Sequence, residues 1–312
     1  MSLDLRKIRY FVAVYEEGSI ARAAQRENVV QPAVSVQIKQ FERALSVKLF
    51  ERSAQGVQAT VAGQHFYKLC SELLRNVRST QQQMLDFGGE IAGSITIGLM
   101  PSICRGPLGE ILTQYSEQFP AVGIKVLEAY SGTLAERVVA GELDLALCNR
   151  PASQSRLKLR LLAKNTVVLV SGERRKLTPW RSYDLANLNN LKLVLPSSQH
   201  SIRRLIDRQI KDGAIRPDRI IDIDGLGATM EVIQAGDWST LLPSIAVIND
   251  LGSSRITINP ITSPLLTSDI YELRAPERPL SLAGQKFVQM VQDELVRAPD
   301  RMKRNKGYNK QL

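Results

Sequence analysis

Between Thr60 and Phe87 the chain has no proline, and Gly63 is its only glycine. A stretch like that reads as one long helix. Along it Phe66, Leu69, Leu73, Val77, Thr80, Met84 and Phe87 recur every three or four residues, with Gln81, Gln82 and Gln83 around them. The stripe is narrow, as in a short coiled coil, and favours pairing with a second copy over packing on its own domain. Gly88-Gly89 ends it as a linker. The helix, over 63–90, therefore separates a small N-terminal domain (1–62) from a large C-terminal one (91–298), with a basic tail at 299–312.

The N-terminal part has helical spacing. Leu5, Ile8, Phe11, Val12 and Tyr15 mark a first helix that Gly18 ends, and Ser19 is a good N-cap for the short, alanine-rich segment 20–27. After a break at 28–30, Gln31-Pro32 opens a third helix, with proline where a missing N–H costs nothing. Its apolar face is Ala33 or Val34, Ile38, Phe41 and Leu45. Over 46–60 the pattern changes to Leu49-Phe50 and Val57 flanking a polar centre with Gly56, which predicts a two-stranded wing.

Beyond Gly93 strands and helices alternate. Strands are predicted at 94–99, 123–129, 143–148, 166–170, 192–195, 220–223, 239–242, 255–258 and 269–273. Helices are predicted near 106–119, 132–141, 202–212, 226–235, 244–250 and 281–296. Apolar strands between helices predict an α/β fold with mainly parallel sheets.

The formal charge is +10, but it is unevenly spread. Residues 1–62 carry +3, 63–92 are neutral, 93–296 carry +2 and 297–312 carry +5. Half the excess lies in the tail, which reads as a frayed, solvated end, so charge alone does not establish nucleic-acid binding. No run of about 18 apolar residues is present, so no membrane span is expected. Asp4, Arg6, Lys7 and Arg9 interrupt the N-terminus, and no signal peptide is expected. Cys70, Cys104 and Cys148 are odd in number and far apart, with neither disulfide nor zinc spacing, which fits a reducing cytoplasm. With His65 and His200 as the only histidines, no catalytic or metal constellation emerges, and no enzyme and no cofactor are expected.

The third helix has the chemistry of a DNA reader. Gln31, Ser35 and Gln37 are short polar groups near its N-terminal end, where such a helix enters the major groove. Gln can read an adenine edge bidentately, Ser serves base or phosphate, and Pro32 can touch a thymine methyl. Lys39 and Arg43 suit phosphates. The purely structural alternative is that Gln31 and Ser35 cap the helix while Arg52 pairs with Glu51 or Glu42.

Ala23-Ala24, then Gln31-Pro32-Ala33-Val34-Ser35-x-Gln37-Ile38-Lys39, Phe41-Glu42, Leu49-Phe50, Arg52 and Thr60-x-Ala62-Gly63 together resemble the N-terminal signature of the LysR-type transcriptional regulators, a bacterial family. The likeness continues more loosely along nearly the whole chain. It implies an N-terminal all-α winged helix-turn-helix, a long linker helix, and two α/β subdomains like those of periplasmic binding proteins. These are placed at 93–162 plus 268–298 and at 163–267. It also implies a homodimer through the linker helix, in antiparallel pairing, and a tetramer as the full assembly. Double-stranded DNA with a pseudo-palindromic promoter site and a small-molecule effector are the implied partners, and RNA polymerase is a further one. Arg22 and Val36 join the DNA-facing set, and Arg52 on the wing falls at the minor groove, where a narrow A·T-rich groove attracts Arg. Three positions depart from the family pattern. Val30 stands for the Ser or Thr cap, to be compensated by Asn28 or Gln31; Glu27 stands for a buried Leu; Val36 stands for a basic residue.

Ligands in such folds sit in the cleft near strand C-termini and helix N-termini. Three strand-to-helix junctions meet that description: Pro101-Ser102-Ile103, Ser131-Gly132, and Ser197-Ser198-Gln199-His200-Ser201. Asn149 and Gly225 complete the expected site, with Leu147 and Trp238 as further candidates. Hydroxyls and free N–H groups at helix starts favour an anion, often a carboxylate, although each junction also reads as ordinary capping. Ser102 matches a family effector contact. Two alternatives to an effector-controlled regulator stay open: a redox sensor using Cys104, and a DNA-binding architectural protein without effector.

Overall fold

The computed structural model describes residues 4–53, 56–89, 91–152 and 156–308. The chain forms two compact units, Met1–Gly88 and Gly89–Leu312.

The first unit holds α1 (Leu5–Glu17), α2 (Ile20–Arg26), α3 (Gln31–Leu45), the hairpin β1 (Phe50–Ser53) and β2 (Gly56–Ala59), and α4 (Val61–Phe87). Asp4, Ser19 and Thr60 cap α1, α2 and α4 with their side chains, and Gly18 closes α1 in the left-handed region at φ 59°. The core joins Ile8, Phe11, Val14, Ala23, Val34, Ile38, Phe41 and Leu49. The small Ala23 and Ala24 let α2 lie close on its neighbours. The wing returns against the α1–α2 turn: Val57 N–H donates to the Gly18 carbonyl at 3.0 Å. A Cβ on Gly56 would stand 2.6 Å from that same oxygen, so only glycine fits there.

The predicted α4 stripe divides in two. Phe66 packs on the unit's own core beside Tyr67, Cys70 and Leu74. Leu69, Leu73, Met84 and Phe87 are exposed. The first turns therefore belong to the domain and only the remainder is an unpartnered face.

The second unit begins with β3 (Gly93–Leu99), α5 (Pro101–Arg105), α6 (Leu108–Gln118), β4 (Val122–Glu128), α7 (Ser131–Val139), β5 (Leu145–Cys148) and β6 (Lys158–Ala163). It continues with β7 (Val167–Gly172), β8 (Tyr183–Asp184), β9 (Lys192–Leu195), α8 (Ser201–Lys211), β10 (Arg219–Asp222), α9 (Leu226–Ala235), β11 (Ser239–Pro243) and β12 (Ile256–Ser263). It closes with β13 (Ile270–Arg274) and α10 (Leu282–Tyr308). Two sheets define two lobes. The first runs β4-β3-β5-β13-β6, and the second β10-β9-β11-β7-β12-β8.

The sheets are mixed, not mainly parallel. β13 is antiparallel to both β5 and β6, and β7 is antiparallel to both β11 and β12. The chain leaves the first lobe after β6 and comes back along β13, and a returning strand enters the sheet in the opposite sense. β6 and β8 are strands that the pattern analysis did not predict. β6 carries Lys158 and Arg160 among its apolar residues, and β8 is two residues long.

The helix expected at 106–119 begins earlier and breaks at Gly106-Pro107 into α5 and α6. The segment Ser244–Asp250 is a 3-10 helix rather than an α-helix. The tail is not frayed over its described part: α10 continues through Pro299 to Tyr308. Proline removes one helical hydrogen bond, but buried Leu295 and Ala298 and the partly buried Met302 hold this stretch to the protein. Arg301 adds an ion pair to Glu294 at 3.3 Å. Among the described residues no helix is long and apolar enough to cross a membrane.

Candidate functional site

The first site is the outer face of α3. Val34, Gln37, Ile38 and Phe41 turn into the core. Gln31, Pro32, Val36, Lys39 and Arg43 are exposed and Ser35 is half-buried. Gln37, expected as a reading group, is 8% exposed and points inward; its helical position one turn from Val34 and Phe41 decides that. No side chain caps α3, so neither Asn28 nor Gln31 replaces the missing cap at Val30. Gln31 thus keeps its amide free of that role. Glu27, half-buried, pairs with Arg9 at 3.6 Å. Arg22 lies on α2, donates to the Glu17 carbonyl and is 3.8 Å from the Glu17 carboxylate. Arg52 stands on β1, and its side chain lies outside the described residues.

Glu42 ties α3 to the wing. Its carboxylate accepts from the N–H groups of Leu49 at 3.0 Å and Phe50 at 3.3 Å, and pairs with Lys48 at 3.3 Å. Burial pushes this carboxyl up, but the two N–H groups and Lys48 outweigh it and hold the group below the usual range. Glu42→Ala is expected to cost roughly 1–3 kcal/mol, because two N–H groups lose their acceptor. The cost has a defined pH dependence. A lowered folded pKa means the contribution is complete above the ordinary carboxylate range and is lost as pH falls through the lowered value. Hydrogen exchange in α1–α3 should therefore show a constant gap between wild type and variant near neutrality that closes in acid.

The second site lies between the lobes. Strand ends and helix starts enclose a cavity of about 220 Å³. Met100, Pro101 and Ser102 from α5, Tyr130, Ser131 and Gly132 at the start of α7, and Asn149 after β5 form one wall. Gln199, His200 and Ser201 at the start of α8, Leu226 and Thr229 of α9, and Thr240 to Pro243 of β11 form the other. None of α5, α7, α8 and α9 has a side-chain cap. The free N–H groups of α7, α8 and α9 thus converge on one space, an electropositive arrangement. Ser102 is 5% exposed, and its Oγ has no hydrogen-bond partner. A buried hydroxyl left unpaired costs free energy, and this one stands on the cavity wall.

Side chains bridge the lobes at this cavity. The Ser201 hydroxyl donates to Asn149 Oδ1 at 3.0 Å, while Asn149 Nδ2 donates to Ser268 Oγ at 2.9 Å. The Tyr130 hydroxyl donates to the Asp224 carbonyl, and its ring meets His200 edge to face. The Asp224 carboxylate accepts from Ser197 N–H at 2.8 Å and lies 3.0 Å from His200 Nε2. Ser197 N–H holds the Asp224 carboxyl below its usual range, and burial holds His200 below its own against the pull of Asp224.

Those contacts correct the expected site. The N–H of Ser197 already holds a carboxylate of the protein. Ser197, Ser198 and Gly225 lie off the cavity wall, and Ile103 and Leu147 are in the core of the first lobe. Trp238 packs on the second lobe's core, 5.9 Å beneath the Arg219 guanidinium. Asp224 and Thr240 also line the cavity and were not expected from the sequence. Asp224 lies two residues beyond the end of β10, a position the strand-end rule favours, and Thr240 is a hydroxyl beside Ser239 at the start of β11.

Burial, and then Glu128, push the Cys104 thiol up to about 12, opposite to what a reactive sensor thiol requires. Cys148 is likewise at about 12, through burial.

Residues 5–64 match the bacterial regulatory helix-turn-helix protein model of the lysR family, and residues 88–296 match the LysR substrate binding domain. The chain belongs to the LysR family. This regulator is 25% identical to the nitrogen assimilation regulatory protein nac of Escherichia coli over 277 residues, 88% of this chain and 90% of that protein. It is 25% identical to the hydrogen peroxide-inducible genes activator of Haemophilus influenzae over 306 residues, 96% of this chain and 100% of that protein. Full-length CbnR complexed with its target DNA superposes with a TM-score of 0.67 at 20% identity, covering 93% of this chain and 99% of CbnR. A full-length OxyR variant from Pseudomonas aeruginosa gives 0.69 at 20% identity, covering 93% and 98%. The regulator is thus a DNA-binding transcription regulator with an effector-binding domain, built on the fold those structures share.

Proposed function

We propose that the regulator reads a pseudo-palindromic operator through α3 and answers to a small carboxylate held between its lobes. On α3, Gln31, Pro32, Ser35 and Val36 face bases, and Lys39 and Arg43 face phosphates; Arg22 and Arg52 add backbone and minor-groove contacts. Gln31→Ala should cost about 1–3 kcal/mol on the cognate site and relax specificity at one position. Lys39→Ala should weaken every sequence alike and lower the salt slope by about one unit. Titrations of both variants on cognate and random duplexes at several salt concentrations separate the roles, and uniform losses from both would remove Gln31 from base reading.

The unpaired Ser102 hydroxyl carries the effector reading. A ligand carboxylate at Ser102, Ser131 and Gly132 would supply its missing partner and accept from the uncapped N–H groups of α7. Asp224 already occupies Ser197, so the carboxylate belongs on the first lobe's wall, and the rest of the ligand reaches Gln199, His200 and Ser201. A ligand touching both lobes binds one interlobe angle better than another, and only that difference can shift operator affinity. Melting the full chain with a panel of small aliphatic and aromatic carboxylates tests the reading: at least one should raise the melting temperature with concentration, as mass action requires, while the matched amides should not.

A further inference from the structure

The Ser102 helix is gripped from behind. α5 is a single turn, and at its end Arg105 forms a fork with Asp250: Nη1 lies 2.5 Å from Oδ2 and Nη2 2.9 Å from Oδ1. Nη1 also donates to the Ala246 carbonyl at 2.5 Å, and Asn249 Nδ2 donates to the Gly106 carbonyl at 2.7 Å. The fork is well shielded, with the Arg105 and Asp250 side chains 24% and 18% exposed. A Cβ on Gly106 would fall 2.2 Å from the Ile245 carbonyl oxygen, so the backbones are in direct contact.

The partners of Arg105 and Gly106 named here all belong to one element, the 3-10 helix Ser244–Asp250. That helix follows directly from β11, whose end lines the cavity. It also joins the lobes: Ile245 and Ile248 are part of the first lobe's core, and Ala246 and Val247 part of the second's. Met302 of α10 packs against both cores as well.

We infer that Arg105 is the positioning residue of the effector cleft, holding Ser102 on the cavity wall by docking α5 onto the 3-10 helix that joins the lobes. A bidentate guanidinium–carboxylate pair fixes direction as well as distance. Ser102 and the interlobe joint therefore move together, and a ligand that engages Ser102 acts on the joint through one helical turn. The role assigned to Ser102 rests on the effector reading, but the docking of α5 does not.

Cys104 lies between Ser102 and Arg105 and serves as a native reporter, with buried Cys148 and, in the other unit, buried Cys70 as internal controls. Cys104 is half-buried, and labelling of such a thiol in the full chain speeds up as its surroundings loosen. In Arg105→Met and in Asp250→Asn the Cys104 rate with a disulfide reagent should rise roughly tenfold, with Cys70 and Cys148 unchanged. Arg105→Lys, which keeps the charge and loses the fork, should fall between. An unchanged Cys104 rate in both Arg105→Met and Asp250→Asn overturns the inference, as does a parallel rise at all three cysteines, which marks general loosening. The assay uses no ligand, so failure of the carboxylate panel and failure of the docking role are separate results.

Discussion

Replacing Leu73 and Val77 together by lysine is expected to dissociate the regulator and remove tight operator binding. Leu69, Leu73, Met84 and Phe87 are 51%, 39%, 65% and 86% exposed along α4, an apolar face that nothing in the chain's own described residues covers. We propose that a second copy covers it and so brings two α3 helices to the two half-sites. Ammonium groups placed against an apolar partner cost several kcal/mol, more than such a seam can absorb. Sedimentation should then show a smaller species. Operator affinity should fall roughly a hundredfold or more, because the second half-site is no longer bound at high effective concentration. Phe66 serves as a contrast: it packs within its own unit, so Phe66→Ala should lower stability without this shift in size. A Leu73/Val77 variant that sediments like the wild type would rule out the seam.

Ser102→Ala is expected to separate binding from stability. At an ordinary helix start, losing the serine would cost about 1 kcal/mol. Here the hydroxyl caps nothing and is buried without a partner, so its removal should leave the melting temperature of the empty protein unchanged or slightly raised. The affinity for the tightest carboxylate of the panel should fall roughly tenfold to a hundredfold, the loss of one hydrogen bond to a charged group. Operator binding without effector should stay nearly intact. Calorimetry beside thermal melting reads both quantities. A lower melting temperature with unchanged ligand affinity would return Ser102 to a structural role.

Much of the fold was legible because periodicity is local. The 3.6-residue spacing of Ile8, Phe11 and Tyr15, the Gly18-Ser19 punctuation, the alternation of Ile95, Ile97 and Leu99 and the apolar run over 193–195 each follow from backbone geometry and burial. The junctions at Ser102, Ser131 and Ser201 were legible for the same reason, since strand ends and helix starts are local features. Sheet sense was not: whether β13 runs with or against β5 depends on where the chain returns from, and no local pattern records that. The persistence of α10 past Pro299 was equally hidden, because Leu295, Ala298 and Met302 hold it by contacts with distant segments.

The amino-acid order by itself determined most of the helices and strands and the exposed polar groups that α3 presents, because propensity and patterning act within a few residues. The tertiary structure alone decided that Asp224 occupies the N–H of Ser197, that Ser102 is left without a partner, and that Arg105 docks its helix on the element joining the lobes. Each of these is a meeting of groups far apart along the chain, where desolvation and hydrogen-bond geometry, rather than residue type, settle which pairs form.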